Sequence, residues 1–404
     1  MTGVPWRRAI LAVVAAVLVL TGVVVAVRAD GYPAIDATAP RATRWFVDEA
    51  NGRAVLADGF SGKTLARINL PGDRNSLEIA QSASGVAVLD SSSATARAVD
   101  TAALRLGAPQ SLSVITAPSA VVGVGQSGIV GFDPLSGSGV LLPPDGDQVP
   151  FQLDEAADPQ RTFVAPDGAV LALAAGALHR LTTTTDDVLA TGLPNAEFSL
   201  VGSSPLVFDT DRRRVRLGDG DWVNLPDGVP TSEIVLQQPG PTADCGWVGG
   251  DDQLWCIDSQ GIAEDVVIDE LGIDGADLLS VAGNAGALVR RATSTIVRFD
   301  WRSARVLDDQ TADIDAGTPL SMSASIDLIW IDETEGNLVW AVHPWGINVI
   351  EKDSSSGVLY GETGELIDQG QSDEAPSGGT GTDHAVVQEE HEPDDNGIDD
   401  PPVA

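Results

Sequence analysis

Cysteine and lysine are nearly missing from this chain of 404 residues, with two of each. One cysteine pair, with no histidine in the same stretch, argues against a zinc site. The four histidines, His179, His343, His384 and His391, form no constellation along the chain, and no convergent pair of carboxylates stands out. Bases are also few: 23 Lys and Arg face 59 Asp and Glu, for a formal net charge of −36. The last 44 residues hold 13 acids and no base, and the first 28 hold three Arg and no acid. What remains still carries 46 acids against 20 bases. Such a surface repels phosphate backbones, so no nucleic acid partner is expected. The two lysines against 21 arginines read as coding bias rather than chemistry. Long helical periodicity is absent from the middle of the chain, which argues against strand–helix units and a parallel sheet.

What is present is a motif that returns. Trp45-Phe46-Val47-Asp48-Glu49-Ala50-Asn51-Gly52-Arg53-Ala54-Val55-Leu56-Ala57 aligns without a gap on Ile329-Trp330-Ile331-Asp332-Glu333-Thr334-Glu335-Gly336-Asn337-Leu338-Val339-Trp340-Ala341, 284 residues later. Both read as a strand, an acidic turn with Gly, and a second strand, which is the pattern of a hairpin in a repeat protein. Similar hairpins place the acidic position near Asp90, Val124, Ala172, Asp209, Gly249 and Arg290, giving steps of 42, 34, 48, 37, 40, 41 and 42 residues. A period of about 40–45 residues matches one four-stranded propeller blade. About ten residues further on, Asp58, Asp100, Asp133, Asp258 and Asp300 begin turns, where a carboxylate can accept from the amides that follow it. Within a module the strands read as Trp45–Val47, Arg53–Ala57, Ala66–Leu70 and Leu77–Gln81. The expectation is an all-β propeller over residues 43–355, of about eight blades, with seven as the alternative given the irregular 34- and 48-residue steps.

Cys245 and Cys256 fall in one hairpin. With Gly250-Asp251 as a two-residue turn they would lie directly opposite, close enough for a disulfide. Several other motifs read as decoys. Gly123-Val124-Gly125-Gln126-Ser127-Gly128 has dinucleotide-fingerprint spacing but runs into a second strand where a helix is required. Gly59-Phe60-Ser61-Gly62-Lys63-Thr64 ends like a phosphate loop but lacks the earlier Gly and reads as a blade turn. Arg212-Arg213-Arg214 reads as a solvated hairpin tip, and His179 as a structural or surface residue. No cofactor or catalytic residue emerges, and the chain is not expected to be an enzyme.

The two ends differ from the middle. Residues 1–8 form a short stub with Arg7 and Arg8, followed by an uncharged apolar run, Ala9–Val27, and Arg28. At 19 residues the run is long for a signal-peptide core and near the ~20 a spanning helix needs. A transmembrane anchor over 9–28, with a cytoplasmic amino end and a linker over 29–42, is the expectation. Cleavage before Asp30 is the alternative. Residues 356–404 read as an acidic, disordered linker. In it, Glu392, Asp394, Asn396 and Asp400 fall at positions 1, 3, 5 and 9 of a partial calcium loop, but Val403 stands where the bidentate Glu belongs.

The segments Gly31-Tyr32-Pro33, Trp340-Ala341-Val342-His343-Pro344-Trp345-Gly346-Ile347 and Asp394-Asp395-Asn396-Gly397-Ile398-Asp399-Asp400-Pro401-Pro402-Val403-Ala404 resemble the amino-terminal region of large actinobacterial cell-surface proteins. Those carry a membrane segment, a repetitive β region, an acidic linker and tandem immunoglobulin-like, cadherin-like or fibronectin-type-III domains. The resemblance implies a longer adhesin-like protein and offers no catalytic residues. The sequence thus points to a membrane-anchored extracellular propeller that binds or scaffolds a surface protein or glycan. Alternatives are an exported enzyme acting on a surface polymer, and an assembly factor that binds extended strands along sheet edges.

Overall fold

Runs of five to seven residues rich in Val, Leu and Ile, cut by Gly, Asp and Asn, suit strands that bury both faces between neighbouring sheets. The computed structural model describes residues 42–144, 146–312 and 318–367. By internal contacts the chain divides into residues 1–367 and 368–404, and the second unit lies outside the described residues. So do the expected anchor over 9–28 and the candidate calcium ligands Glu392, Asp394, Asn396 and Asp400. Among the described residues no helix is long and apolar enough to cross a membrane, and the helical segments are three short 3-10 turns.

Eight sheets form an eight-bladed propeller. Six of them take four consecutive antiparallel strands, as in blade 8: Leu320–Ala324, Ile329–Glu333, Leu338–His343 and Gly346–Glu351, and blade 2 splits its outer strand in two, Arg105–Leu106 and Gln110–Ser111 both pairing with Thr95–Asp100. First strands touch one another in succession around the ring, from Leu77–Ser82 in blade 2 to Leu320–Ala324 in blade 8, and so line the centre. Blade 1 is different. Among the described residues its strands are Thr43–Asp48, Arg53–Asp58 and Lys63–Asn69, with Val358–Tyr360 added in parallel beyond Lys63–Asn69.

One backbone hydrogen bond fixes how blade 1 corresponds to the rest. In each blade an amide just after the outer strand donates to a carbonyl in the turn between the second and third strands: Leu112 to Ala94, Leu153 to Gly137, Leu193 to Gly176, Leu225 to Arg213, Ile268 to Asp252, Ala312 to Ser294 and Lys352 to Asn337. In blade 1 the bond runs from Leu70 to Gly52, in the turn that follows Thr43–Asp48. Thr43–Asp48 is therefore a second strand, and the hairpins over 45–57 and 329–341 occupy equivalent places in adjacent blades.

This phase corrects parts of the repeat. Second strands end at Asp48, Asp90, Asp133, Ala174, Asp209, Gly250, Arg290 and Glu333. Val124 lies in a first strand, and Asp133 belongs with Asp48 and Asp90 rather than with Asp58 and Asp100. The irregular 34- and 48-residue steps arose from that one misplacement. Ladder pairing, with Asp48 opposite Arg53 and Ile329 opposite Val342, makes Trp45 equivalent to Trp330, an offset of 285 rather than 284. The ungapped match slipped because Gly stands last in the turn 49–52 but third in 334–337. Leu77–Ser82, grouped above with the first module, begins the next sheet.

Every junction between adjacent blades holds a buried apolar cluster, including the junction of blade 8 with blade 1. That last cluster contains Phe46, Ala57, Leu328, Trp330, Val339, Ala341 and Ile350. Burial of each of Phe46, Leu328, Val339 and Ile350 stabilises by roughly 1.5–3 kcal/mol relative to exposure. A Cβ on Gly59 would come within 3.0 Å of Ala341, Leu328 and Trp330, so the turn it begins seats flush on blade 8.

The chain also continues past 355. Val358–Tyr360 pairs with Ala66–Ile68, Arg67 donates to the Ser355 and Gly357 carbonyls, and Glu362 meets Arg97 at 3.0 Å in blade 2. Residues 356–367, assigned above to the linker, thus strap the outer edge of blade 1. Apolar Val358 and Leu359 and paired Glu362 supply contacts that net acidity had obscured.

Candidate binding site at the closing seam

The Asp residues that begin turns act as expected. Asp58 accepts from the Phe60 amide at 3.0 Å and from the Ser61 hydroxyl at 3.0 Å, which presents the Phe60 ring outward. The equivalent turn of blade 8, His343-Pro344-Trp345-Gly346, lies beside it across the seam. Phe60, His343 and Trp345 form a triangle with ring centroids 5.7, 5.7 and 5.8 Å apart. Trp345 is 77% exposed and Phe60 41%, whereas His343 is 8% exposed. A tryptophan so open to water calls for a reason, since most large aromatic surface is buried.

The platform is held from beneath. The Trp345 amide donates to His343 Nδ1 at 3.2 Å. Asn348 Nδ2 donates to the Gly59 carbonyl at 2.7 Å and the Phe60 carbonyl at 3.1 Å, and lies 3.2 Å from His343 Nε2. From blade 7, Arg298 donates to the Pro344 carbonyl at 2.6 Å while gripping both oxygens of Asp308 at 2.6 and 3.0 Å. Burial, with the Arg298 charge, pushes His343 below its ordinary value, and Asp308 opposes this. A neutral ring is the form that accepts from the Trp345 amide. The pieces come from residues nearly 290 apart and from three blades, so sequence proximity gave no sign of the site. His343, set aside above for want of partners, is central to it.

The remaining candidates resolve as structure. Cys245 and Cys256 are joined by a disulfide with a Cα–Cα distance of 5.6 Å. The pairing expected for the hairpin is corrected: Trp247, not Cys245, stands opposite Cys256, because the turn is Asp251-Asp252 with Asp251 at φ 52°. A two-residue slip keeps both cysteines on one face, so a diagonal bridge still forms. His179 is buried with its Nδ1 2.9 Å from Asp186. Gly123, Gly125 and Gly128 lie in paired strands, and Gly59–Gly62 is a turn. Arg212 and Arg214 grip Asp209, and Arg213 grips the Pro226 and Val229 carbonyls, so the run is tied down rather than merely solvated. Among the described residues no group of three or more His, Cys, Asp or Glu could hold a metal.

A cavity of about 520 Å³ opens at the centre between blades 8, 1 and 2, lined by Arg44–Val47, Leu77–Ile79, Ser321 and Asp332, among others. Burial, aided by Glu49, raises Glu78 in this cavity. Behind Asp332, Lys352 is 2% exposed, with Nζ 2.6 Å from the Glu333 carbonyl and 2.8 Å from Asp332.

No protein-family model matches the chain, and no curated protein matches it. Solved structures do. Selenomethionine-substituted virginiamycin B lyase from Staphylococcus aureus matches at 12% identity over 72% of this chain and 95% of its own, with a TM-score of 0.45. Apo AztD from Citrobacter koseri matches at 8% over 78% and 96%, with a TM-score of 0.47. Dihydro-heme d1 dehydrogenase NirN in complex with DHE matches at 13% over 78% and 74%, with a TM-score of 0.48. These likenesses carry no inference about chemistry.

Proposed function

We propose that this chain is a binding module that presents the Phe60–Trp345 platform to a saccharide at the cell surface, tethered to the membrane by its amino-terminal apolar segment. The observation that carries the reading is the 77% exposure of Trp345 on a turn braced from three blades. An indole fixed in place offers a flat apolar face without a large ordering cost on binding. Asn348, Asp308 and the backbone around the turn supply polar groups at the edge. A sugar ring has the matching character, one face of C–H groups and a rim of hydroxyls. The acidic surface disfavours anionic polymers, so a neutral glycan is the class expected.

Electrophoresis through gels containing neutral soluble polysaccharides tests this. The parent should be retarded by at least one of them, and Trp345→Ala should migrate as in a plain gel. Equal retardation of both proteins would place binding elsewhere.

A further inference from the structure

Blade 6 departs from its neighbours at the centre of the ring. Its first strand is only Val235–Leu236, after which the chain turns into the central channel. Gln238 donates to the Leu279 carbonyl of blade 7 at 2.7 Å, and Gly240 donates to the Leu200 carbonyl of blade 5 at 3.1 Å. A Cβ on Gly240 would lie 3.5 Å from that of Ala324 in blade 8. The segment 237–240 therefore spans the channel level with Val201 and Ala324, where first strands end.

On the side where first strands begin, this floor leaves a cavity of about 530 Å³ bounded by blades 4, 5, 6 and 7. Such a volume suits a small molecule. The first strand of blade 4, Ala157–Val164, bulges into it. Ala157 stands opposite Ala174 and Thr162 opposite Ala172, so residues 158–161 are set against Leu173 alone. The Thr162 hydroxyl closes the bulge on the Asp158 carbonyl at 2.7 Å, and Gln160 and Arg161 line the cavity. Re-aiming side chains is what bulges do.

The polar groups of this cup are unevenly satisfied. Gln237 lines it, is 4% exposed, and takes the Trp247 amide at 2.8 Å through Oε1. Among the described residues its Nε2 meets no acceptor. A buried donor so placed is costly unless something accepts from it. Four charged residues also line the cup. Arg161 pairs with Asp158 at 3.5 Å. Asp277, 5% exposed, accepts from the Asp274 amide at 2.9 Å and the Arg291 amide at 3.2 Å. Glu197 and Arg291 are exposed, and among the described residues neither side chain has an ion pair, with the other or elsewhere. A free cation and a free anion, held apart on blades 7 and 5, match a ligand that carries both charges itself. Phe163 and Phe198, edge to face at 5.1 Å, supply an apolar wall.

We infer that this cup binds a short zwitterionic peptide, with its carboxylate on Arg291, its ammonium on Glu197 and a peptide carbonyl on Gln237 Nε2. A guanidinium offers a carboxylate two parallel N–H donors. A chain of net charge −36 disfavours a ligand bearing negative charge alone. The cup is separate from the aromatic platform. Second strands end beside it, at Arg290 in blade 7, whereas Phe60 and Trp345 follow third strands. Antiparallel neighbours end on opposite faces, so peptide and glycan approach from opposite sides of the ring.

Calorimetric titration of the full chain in detergent micelles with alanylphenylalanine tests this, beside its N-acetylated and carboxamide forms. The free dipeptide should bind, and blocking either end should weaken it roughly tenfold or more. Arg291→Gln should weaken the free dipeptide to a similar degree and no longer distinguish it from the carboxamide. Glu197→Gln should likewise no longer distinguish it from the acetylated form. No binding of the dipeptide by the parent would overturn the inference. So would an affinity unchanged by both end blocks, or unchanged by both Arg291→Gln and Glu197→Gln.

Discussion

Replacing Asp90 by Asn should remove a share of stability that is itself sensitive to acid. Asp90 ends the second strand of blade 2 and is 9% exposed. Burial alone would raise its carboxyl. Hydrogen bonds outweigh that: Ser92 Oγ at 2.6 Å, Ser93 Oγ at 2.7 Å, Ser76 Oγ at 2.8 Å and the Ser92 amide at 3.0 Å. Together they hold it at about 2, against an ordinary value of 3.8. That depression corresponds to about 2 kcal/mol of preference for the ionised form in the folded state. Because the folded value lies below the unfolded one, the contribution is complete above about pH 4 and is lost as pH falls through about 2. Urea titrations of parent and Asp90→Asn at pH 7, 4, 3 and 2 would measure it. The gap between them should be about 2 kcal/mol at pH 7 and should close as pH approaches 2. A gap that stays constant over the whole range, or no gap at pH 7, would refute the reasoning.

Three further outcomes are expected. Cys245→Ser should cost about 2–3 kcal/mol, the low end for a bridge that closes so short a loop, and a non-reduced digest of the parent should show Cys245 joined to Cys256 by mass. His343 is held below its ordinary value, so its neutral form is the one favoured by folding; platform stability and ligand retention should be flat above pH 7 and decline as pH falls below about 6.5, and a His343→Gln variant should not show that decline. A chain ending after Ile367 should melt with the parent, whereas one ending after Gly357 loses the Val358–Tyr360 pairing and the Glu362–Arg97 contact and should melt several degrees lower by calorimetry.

The architecture was legible because hairpins leave local marks. Trp45 and Trp330, the Asp turns and the Gly-rich punctuation reported repeats, their size and their number. What the sequence could not report was phase. A module cut at Trp45 looks complete because Leu77–Ser82 follows at the right spacing, yet that strand belongs to the next blade. Only the ladder and the Leu70–Gly52 bond show that Thr43–Asp48, where the described residues begin, is a second strand. The strap over 356–367 was hidden for a related reason. Three residues, Val358, Leu359 and Tyr360, form its strand, too short a run to stand out beside an acidic composition. The platform was illegible because Phe60 meets His343 and Trp345 only through ring closure, and Arg298 reaches the Pro344 carbonyl only through the packing of blade 7 on blade 8. The exposed indole was visible only as a Trp after a Pro.

Calorimetric titration of the parent, Trp345→Ala and Trp222→Ala with an oligosaccharide of the retained polysaccharide tests the central claim most directly. Trp222 is the control because its ring lies under Arg214 and Arg216 in blade 5, away from the seam. The account predicts at least a tenfold loss of affinity for Trp345→Ala, about 1.4 kcal/mol, and none for Trp222→Ala. Equal affinity in parent and Trp345→Ala would contradict it.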